Sequence, residues 1–88
     1  MPPRLRLQVF VKAGCANCAE TAQLLPTISK NHPSVDVVIV DMDDPEAVIP
    51  EVVFAAPTYL LDGQIVSIGN PSLEEIKTVL AGYVIDVC

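Results

Sequence analysis

The alternation of hydrophobic and polar positions divides the chain into short segments typical of strands and helices. Residues 5–11 alternate before becoming wholly apolar, which predicts a strand that ends at Gly14. Apolar residues recur at helical spacing over residues 16–31, which predicts a helix beginning beside two cysteines. Residues 35–40 are nearly all apolar and rich in β-branched side chains. That composition predicts a central strand covered on both faces.

The second half of the chain predicts one short helix, a hairpin and a final helix. Asp44 followed by proline predicts a helix over residues 44–49. Residues 58–61 and 64–68 flank an Asp-Gly pair, which predicts a tight antiparallel hairpin. A capping box, Ser-Leu-Glu-Glu at residues 72–75, predicts the start of the last helix. The predicted order is β-α-β-α-β-β-α, an α/β fold with a four-stranded mixed sheet and helices on its faces.

The composition of the chain limits its class of protein, its partners and its location. The 88 residues suffice for one domain spanning residues 1–88, and 51% hydrophobic with 18% charged residues exclude a disordered chain. A formal charge of −6 would repel a phosphate backbone, so we expect no nucleic acid partner. Acidic residues 41–44 predict a solvated loop. Because neither a membrane span nor a signal peptide is evident, we expect a cytoplasmic protein with no membrane association. We also expect a monomer.

The candidate chemistry lies in Cys15 and Cys18, three positions apart at the start of a predicted helix. This spacing places both thiols on one side of the first turn, close enough to form a disulfide. Unpaired N–H groups, the helix dipole and the positive charge of Lys12 favour a thiolate, so we expect the pKa of Cys15 to lie below that of a free thiol. We predict that Cys15 attacks a substrate disulfide and that Cys18 resolves the mixed disulfide.

The same C-x-x-C spacing also occurs in half of a zinc site. The further ligands this would need are Cys88 and His32, and neither has a neighbour at zinc-finger spacing. Two buried cysteines acting as small hydrophobic residues are hard to reconcile with a turn between glycine and a helix. We therefore predict no metal ligands, treat Cys88 as a bystander, and explain His32 by its place at a helix end.

Two segments carry a resemblance to known redox proteins. Residues 9–18, Val-Phe-Val-Lys-Ala-Gly-Cys-Ala-Asn-Cys, resemble the glutaredoxin pattern of an apolar strand, a lysine and then C-x-x-C. Residues 56–58, Ala-Pro-Thr, resemble the cis-proline loop shared by thioredoxins and glutaredoxins. With the element order, the likeness covers nearly the whole chain. It implies a thioredoxin-like thiol-disulfide oxidoreductase without a bound cofactor, which acts on protein or small-molecule disulfides and is reduced by glutathione or a reductase.

The resemblance also implies substrate-binding residues. The Ala56–Pro57 bond should be cis, with Pro57 near the cysteines and the Ala56 backbone facing an extended peptide or glutathione. Gly69 stands where glutaredoxins bind the γ-glutamyl carboxylate of glutathione. There the sequence departs from the pattern, because Asn70-Pro71-Ser72 replaces the usual glycine pair followed by a serine-aspartate cap. Pro71 removes an N–H donor, so we favour an ordinary helix cap.

Other departures leave alternatives open. Val9 stands where thioredoxins carry a buried aspartate, and neither tryptophan nor a proline between the cysteines is present. Two alternative functions therefore remain: a glutaredoxin-like iron–sulfur or metal-binding module, and a redox-sensing interaction domain. Phe54 and Tyr59 flank the proline loop, and we expect both aromatic side chains to pack in the core.

Overall fold

The computed structural model describes the backbone of residues 5–85 and the side chains of residues 5–82. Four strands and two helices follow one another in the order β-α-β-β-β-α. Their bounds are β1 Leu5–Val11, α1 Cys18–Asn31, β2 Val35–Asp41, β3 Thr58–Leu61, β4 Gln64–Ile68 and α2 Leu73–Ile85. The four predicted strands and the first and last predicted helices are thus confirmed, although α1 begins two residues later than expected.

The strands form one mixed sheet in the order β2-β1-β3-β4. β1 and β2 are parallel, as the crossover through α1 requires, while β3 pairs antiparallel with β1 and with β4. Asp62 and Gly63 connect β3 to β4 with φ angles of 49° and 88°. Positive φ at both turn residues is the hairpin geometry that an Asp-Gly pair favours, so the predicted hairpin is confirmed.

The prediction that residues 35–40 form a central strand is wrong, because β2 lies at the edge of the sheet. Within β2 the side chain of Ile39 is 59% exposed, whereas every residue of the central strand β3 is buried. An apolar run indicates that a strand contacts a core but does not say which strands lie beside it. Here Val35 and Val40 contribute to opposite faces, which gives an edge strand the composition of a central one.

The short helix predicted over residues 44–49 is absent, and the segment forms turns instead. The Asp44 carboxylate accepts a hydrogen bond of 2.9 Å from the Glu46 N–H, and the Asp44 carbonyl accepts one of 3.0 Å from Ala47. This is a single local turn, and Pro50 offers no N–H donor to extend it. A helix this short does not offset the cost of fixing its first turn.

Apolar side chains pack against both faces of the sheet, but both helices lie on the same face. Alternate residues of the central strands point to opposite sides. The larger cluster joins one face to the two helices: Leu7, Val9, Leu25, Ile28, Val35, Tyr59, Leu61, Ile76 and Leu80. On the other face Phe10 and Leu60 contact Val53, flanked by Met42 and Ile49 of the connecting segment. The expectation of helices on both faces is therefore corrected, since a loop covers the second face.

Candidate active site

The two cysteines lie in the turn between β1 and α1, at the carboxyl end of a central strand. The Cys18 N–H donates a hydrogen bond of 3.3 Å to the Cys15 carbonyl. The Cα atoms of Cys15 and Cys18 are 5.4 Å apart, within the range that disulfides occupy, and the two sulfur atoms are joined as a disulfide. Both residues are half-buried. We call residues 15–18 the cysteine turn.

Lys12, at the end of β1, lies close to the second cysteine of the cysteine turn. Lys12 and Cys18 line one pocket of about 130 Å³. Its other lining side chains are largely apolar and include Leu25 and Ile39. The Lys12 side chain itself is exposed to solvent.

The proline loop reaches the same edge of the sheet through β-pairing. Phe10 of β1 is paired with Thr58 of β3, which places Pro57 beside the end of β1 and the start of the cysteine turn. The Ala56–Pro57 bond is cis and Pro57 is buried. Ala56 is half-buried. Within the described range 5–85, its backbone takes part in none of the hydrogen bonds that lie outside the helices and strands.

Gly69 lies beside the proline loop, but its polar backbone atoms are engaged within the protein. Its φ of 96° favours glycine, and its N–H donates a hydrogen bond of 2.7 Å to the Pro57 carbonyl. Its carbonyl accepts one of 2.8 Å from the Ser67 hydroxyl. Gly69 is therefore bonded to the proline loop, and its N–H is not free to donate to a carboxylate.

The helix start after Gly69 is an ordinary cap, as the sequence analysis favoured. The Glu75 N–H donates to the Ser72 hydroxyl at 3.0 Å, and the Ser72 N–H donates to the Glu75 carboxylate at 3.4 Å. These reciprocal bonds are the predicted capping box. They occupy the donor that a bound anion would use at Ser72, and the preceding Pro71 has none.

A polar cluster that no sequence motif indicated contacts the cysteine turn. The Asn70 side-chain N–H donates a hydrogen bond of 2.8 Å to the Asn17 carbonyl. Its side-chain oxygen accepts hydrogen bonds from the hydroxyl groups of Tyr59, at 2.9 Å, and of Thr21. We call Thr21, Tyr59 and Asn70 the amide cluster. Burial raises the pKa of Tyr59, and the Thr21 hydroxyl opposes that effect.

One member of the amide cluster left a signal in the sequence. Thr21, Leu25 and Ile28 are the buried residues of α1, and they stand at the i, i+4, i+7 spacing of one helix face. The apolar residues Ala19 and Ala22 of the same helix are exposed instead. Nothing in the sequence pairs Thr21 with Asn70, 49 positions later.

The two aromatic residues beside the proline loop have different surroundings. Tyr59 is fully buried, as expected. Phe54 is 76% exposed, so the expectation that it packs in the core is wrong. Its neighbour Val53 is instead the residue that enters the second cluster, because successive side chains of an extended segment point in opposite directions.

Neither a metal centre nor a membrane helix is evident in the part of the chain that the structure describes. Within it, no three side chains of the metal-ligating types His, Cys, Asp and Glu come together. His32 lies at the C-terminus of α1, where its N–H donates to the Ile28 carbonyl at 2.9 Å. Cys88 lies outside the described residues. Over the same range no helix has the length and apolarity to cross a membrane.

A mixed sheet carrying two helices, a cysteine pair opening the first helix and a proline loop beside it together define a thioredoxin-fold dithiol protein. Residues 5–81 match the family model described as thioredoxin domain, and the chain belongs to this family. The predicted thioredoxin-like fold is thereby confirmed, and the chemistry of the Cys15–Cys18 pair is thiol-disulfide exchange.

Solved structures similar to this chain include three thioredoxins. Fasciola hepatica thioredoxin is 25% identical with a TM-score of 0.70, covering 90% of this chain and 80% of that one. A poplar thioredoxin h is 25% identical with a TM-score of 0.68, covering 90% and 76%. The periplasmic thioredoxin SoxS from Paracoccus pantotrophus is 25% identical with a TM-score of 0.61, covering 89% and 93%. Among curated proteins no significant match is found.

Proposed function

We propose that this protein is an enzyme that reduces disulfide bonds of other proteins, with Cys15 as the nucleophile and Cys18 as the resolving thiol. The observation that carries the proposal is the disulfide between Cys15 and Cys18 at the start of α1, beside Pro57. A cysteine pair in this place opens and closes with little movement of the backbone, because the first helical turn already holds the two residues together.

The reaction proceeds through a mixed disulfide. The Cys15 thiolate attacks one sulfur of a substrate disulfide, forms an S–S bond to it and releases the other substrate sulfur as a thiolate. Cys18 then loses its proton and attacks the Cys15 sulfur, which forms the Cys15–Cys18 disulfide and releases the second substrate thiolate. The substrate gains two electrons and two protons, and the enzyme loses both.

Lys12 supports this chemistry by its charge. It lines the pocket that also contains Cys18, so its ammonium group favours the thiolate that Cys18 must become in the resolving step. In the reduced protein the same charge lies three residues before Cys15 and favours the attacking thiolate as well. We therefore propose Lys12 as an electrostatic contributor to both steps.

The surface beside the proline loop favours a protein substrate. Within residues 5–85, the backbone N–H and carbonyl of Ala56 take part in no hydrogen bond of the loops. An extended peptide would pair with such groups. Three exposed apolar side chains precede it in the chain, Val48, Val52 and Phe54, at 87%, 50% and 76% exposure. Apolar side chains of a polypeptide would pack against such residues.

Glutathione is less favoured as a bound substrate. The N–H groups of Gly69 and Ser72 are both committed to internal hydrogen bonds, and Pro71 has none. A glutathione carboxylate would therefore have to displace these bonds. We propose that the protein holds no bound cofactor. An external reductant would then reduce the Cys15–Cys18 disulfide, and we favour the dithiol of a flavoprotein reductase system over glutathione in this role.

Trapping of the mixed disulfide tests the assigned roles. Full-length protein is reduced, mixed with a disulfide-bonded protein such as insulin, quenched with acid and alkylated for mass analysis. We expect Cys18→Ser to accumulate a disulfide between Cys15 and the substrate, and Cys15→Ser to accumulate none and to lose turnover. Cys88→Ser is the matched control and should behave as the unmodified protein. Full turnover by Cys15→Ser would refute the mechanism.

A further inference from the structure

The residues Gly69 and Asn70 connect the two halves of the candidate site. The Gly69 N–H bonds to the carbonyl of Pro57, in the proline loop, at 2.7 Å. The next residue, Asn70, bonds to the carbonyl of Asn17, in the cysteine turn, at 2.8 Å. Adjacent residues on the β4–α2 connection thus hold both segments, which are otherwise about forty positions apart in the chain.

The Asn70 amide is fixed by its own contacts before it reaches the cysteine turn. Its oxygen accepts from Tyr59 and Thr21, which are 0% and 1% exposed. The Tyr59 hydroxyl donates to this oxygen, and the single proton of the Thr21 hydroxyl is shared between it and the Asn17 carbonyl, 3.2 Å from Thr21. These contacts orient the amide nitrogen toward the same carbonyl, which also accepts a hydrogen bond of 3.2 Å from the Thr21 backbone N–H. Asn70 therefore acts as a fixed donor rather than as a mobile surface side chain.

We propose that Asn70 is a positioning residue that holds the cysteine turn and thereby stabilises the Cys15–Cys18 disulfide relative to the dithiol. Asn17 lies between the two cysteines, so a bond to its carbonyl restrains the turn that brings the sulfur atoms together. When the disulfide is reduced, this hydrogen bond restricts the separation of the thiols. The inference rests on the proposed redox function of the pair.

The direction of the effect follows from comparing the two redox states. Loss of the Asn70 bond gives the dithiol more conformations, while the covalent disulfide still holds the turn closed. The dithiol is therefore favoured when Asn70 is replaced. One such bond changes an equilibrium by about threefold to tenfold. For a two-electron couple, a tenfold change in the equilibrium constant corresponds to about 30 mV.

The test is the redox equilibrium of Cys15 and Cys18 with reduced and oxidised dithiothreitol. In it the protein disulfide gains two electrons and two protons from the reagent dithiol, which becomes the cyclic disulfide. Asn70→Ala should shift the constant toward the protein dithiol by about threefold to tenfold. Ser67→Ala is the matched control, because it removes a loop hydrogen bond of 2.8 Å to Gly69 that does not reach the cysteine turn.

A second variant tests the inference in case Asn70→Ala does not fold. Asn70→Asp keeps the shape and the acceptor oxygens for Tyr59 and Thr21 but lacks the N–H directed at Asn17. It should shift the constant in the same direction. An equilibrium constant within twofold of the original in a folded Asn70 variant, or an equal shift in Ser67→Ala, would overturn the inference. If the unmodified protein itself forms no Cys15–Cys18 disulfide at any ratio of oxidised to reduced dithiothreitol, the proposed function fails instead.

Discussion

The carboxylate of Asp43 accepts a hydrogen bond of 2.7 Å from the backbone N–H of Ala13, thirty positions earlier in the chain. Ala13 lies between Lys12 and the cysteine turn, so this bond fixes the entry to the candidate site. It also holds a negative charge on the backbone of a residue two positions before Cys15. The exposed acidic segment 41–44, which the sequence indicated only as a solvated loop, therefore contacts the site.

Removal of this charge should make Cys15 more reactive. Asp43→Asn retains an oxygen for the Ala13 N–H and removes the negative charge, so we expect alkylation of the Cys15 thiolate near neutral pH to quicken by about twofold. The measurement is the pH dependence of iodoacetamide reaction. Asp62→Asn is the matched control, since Asp62 accepts a similar bond of 2.9 Å from Arg6 at the opposite end of β1. Equal effects of both changes would contradict a local role.

Loss of the Lys12 charge should have the opposite effect. With Lys12→Gln the thiolates of the pair lose a stabilising cation, and we expect disulfide reduction at neutral pH to slow by about threefold. The difference should shrink as salt is added, because mobile ions screen the charge. Lys30→Gln, in the last turn of α1, is the control and should leave the rate unchanged. A rate loss that salt does not alter would point to lost packing instead.

The alkaline stability of the protein should depend on Tyr59. Burial raises the pKa of Tyr59 above its ordinary value of 10.0, so the folded protein keeps this proton when the unfolded chain has lost it. The resulting stability is complete below about pH 10 and is lost as the pH rises through the higher pKa of the folded state. Thermal unfolding measured from pH 8 to pH 11 should show this decline.

The Tyr59→Phe variant is the comparison for that measurement. It removes the ionisable group and leaves Tyr83 as the one remaining tyrosine of the sequence. We expect its melting temperature to fall less steeply above pH 10, although it starts lower because Asn70 loses a hydrogen bond. Parallel curves for the two proteins would show that other groups govern the alkaline transition.

The exposed ring of Phe54 should matter for protein substrates and not for small ones. Phe54→Ser removes an apolar contact surface beside the proline loop, and a contact of about 1 kcal/mol would change the KM for a protein disulfide by about fivefold. The KM for a small aromatic disulfide and the melting temperature should stay the same, because the ring is already 76% exposed. Ile65→Ser, at the other end of the β3–β4 hairpin, is the control. A similar loss with both substrates would argue against a docking role.

The sequence by itself determined those features that depend on neighbouring residues. The alternation in residues 5–11, the Asp62-Gly63 turn and the capping box at Ser72 each specify backbone geometry within a few positions, and each is present in the structure. The spacing of Cys15 and Cys18 likewise fixes their proximity, because the turn that brings them together is four residues long.

The order of the strands, the covering of the second face and the contacts between distant loops depend on tertiary structure alone. The edge position of β2 follows from β3 pairing with the other side of β1, and the loop over the second face follows from Phe10 and Leu60 pointing away from both helices. The contact between Asn70 and Asn17 joins residues 53 positions apart. Local patterns specify which way a side chain points, but the partner it meets depends on how distant segments pack, and no short stretch of sequence contains that information.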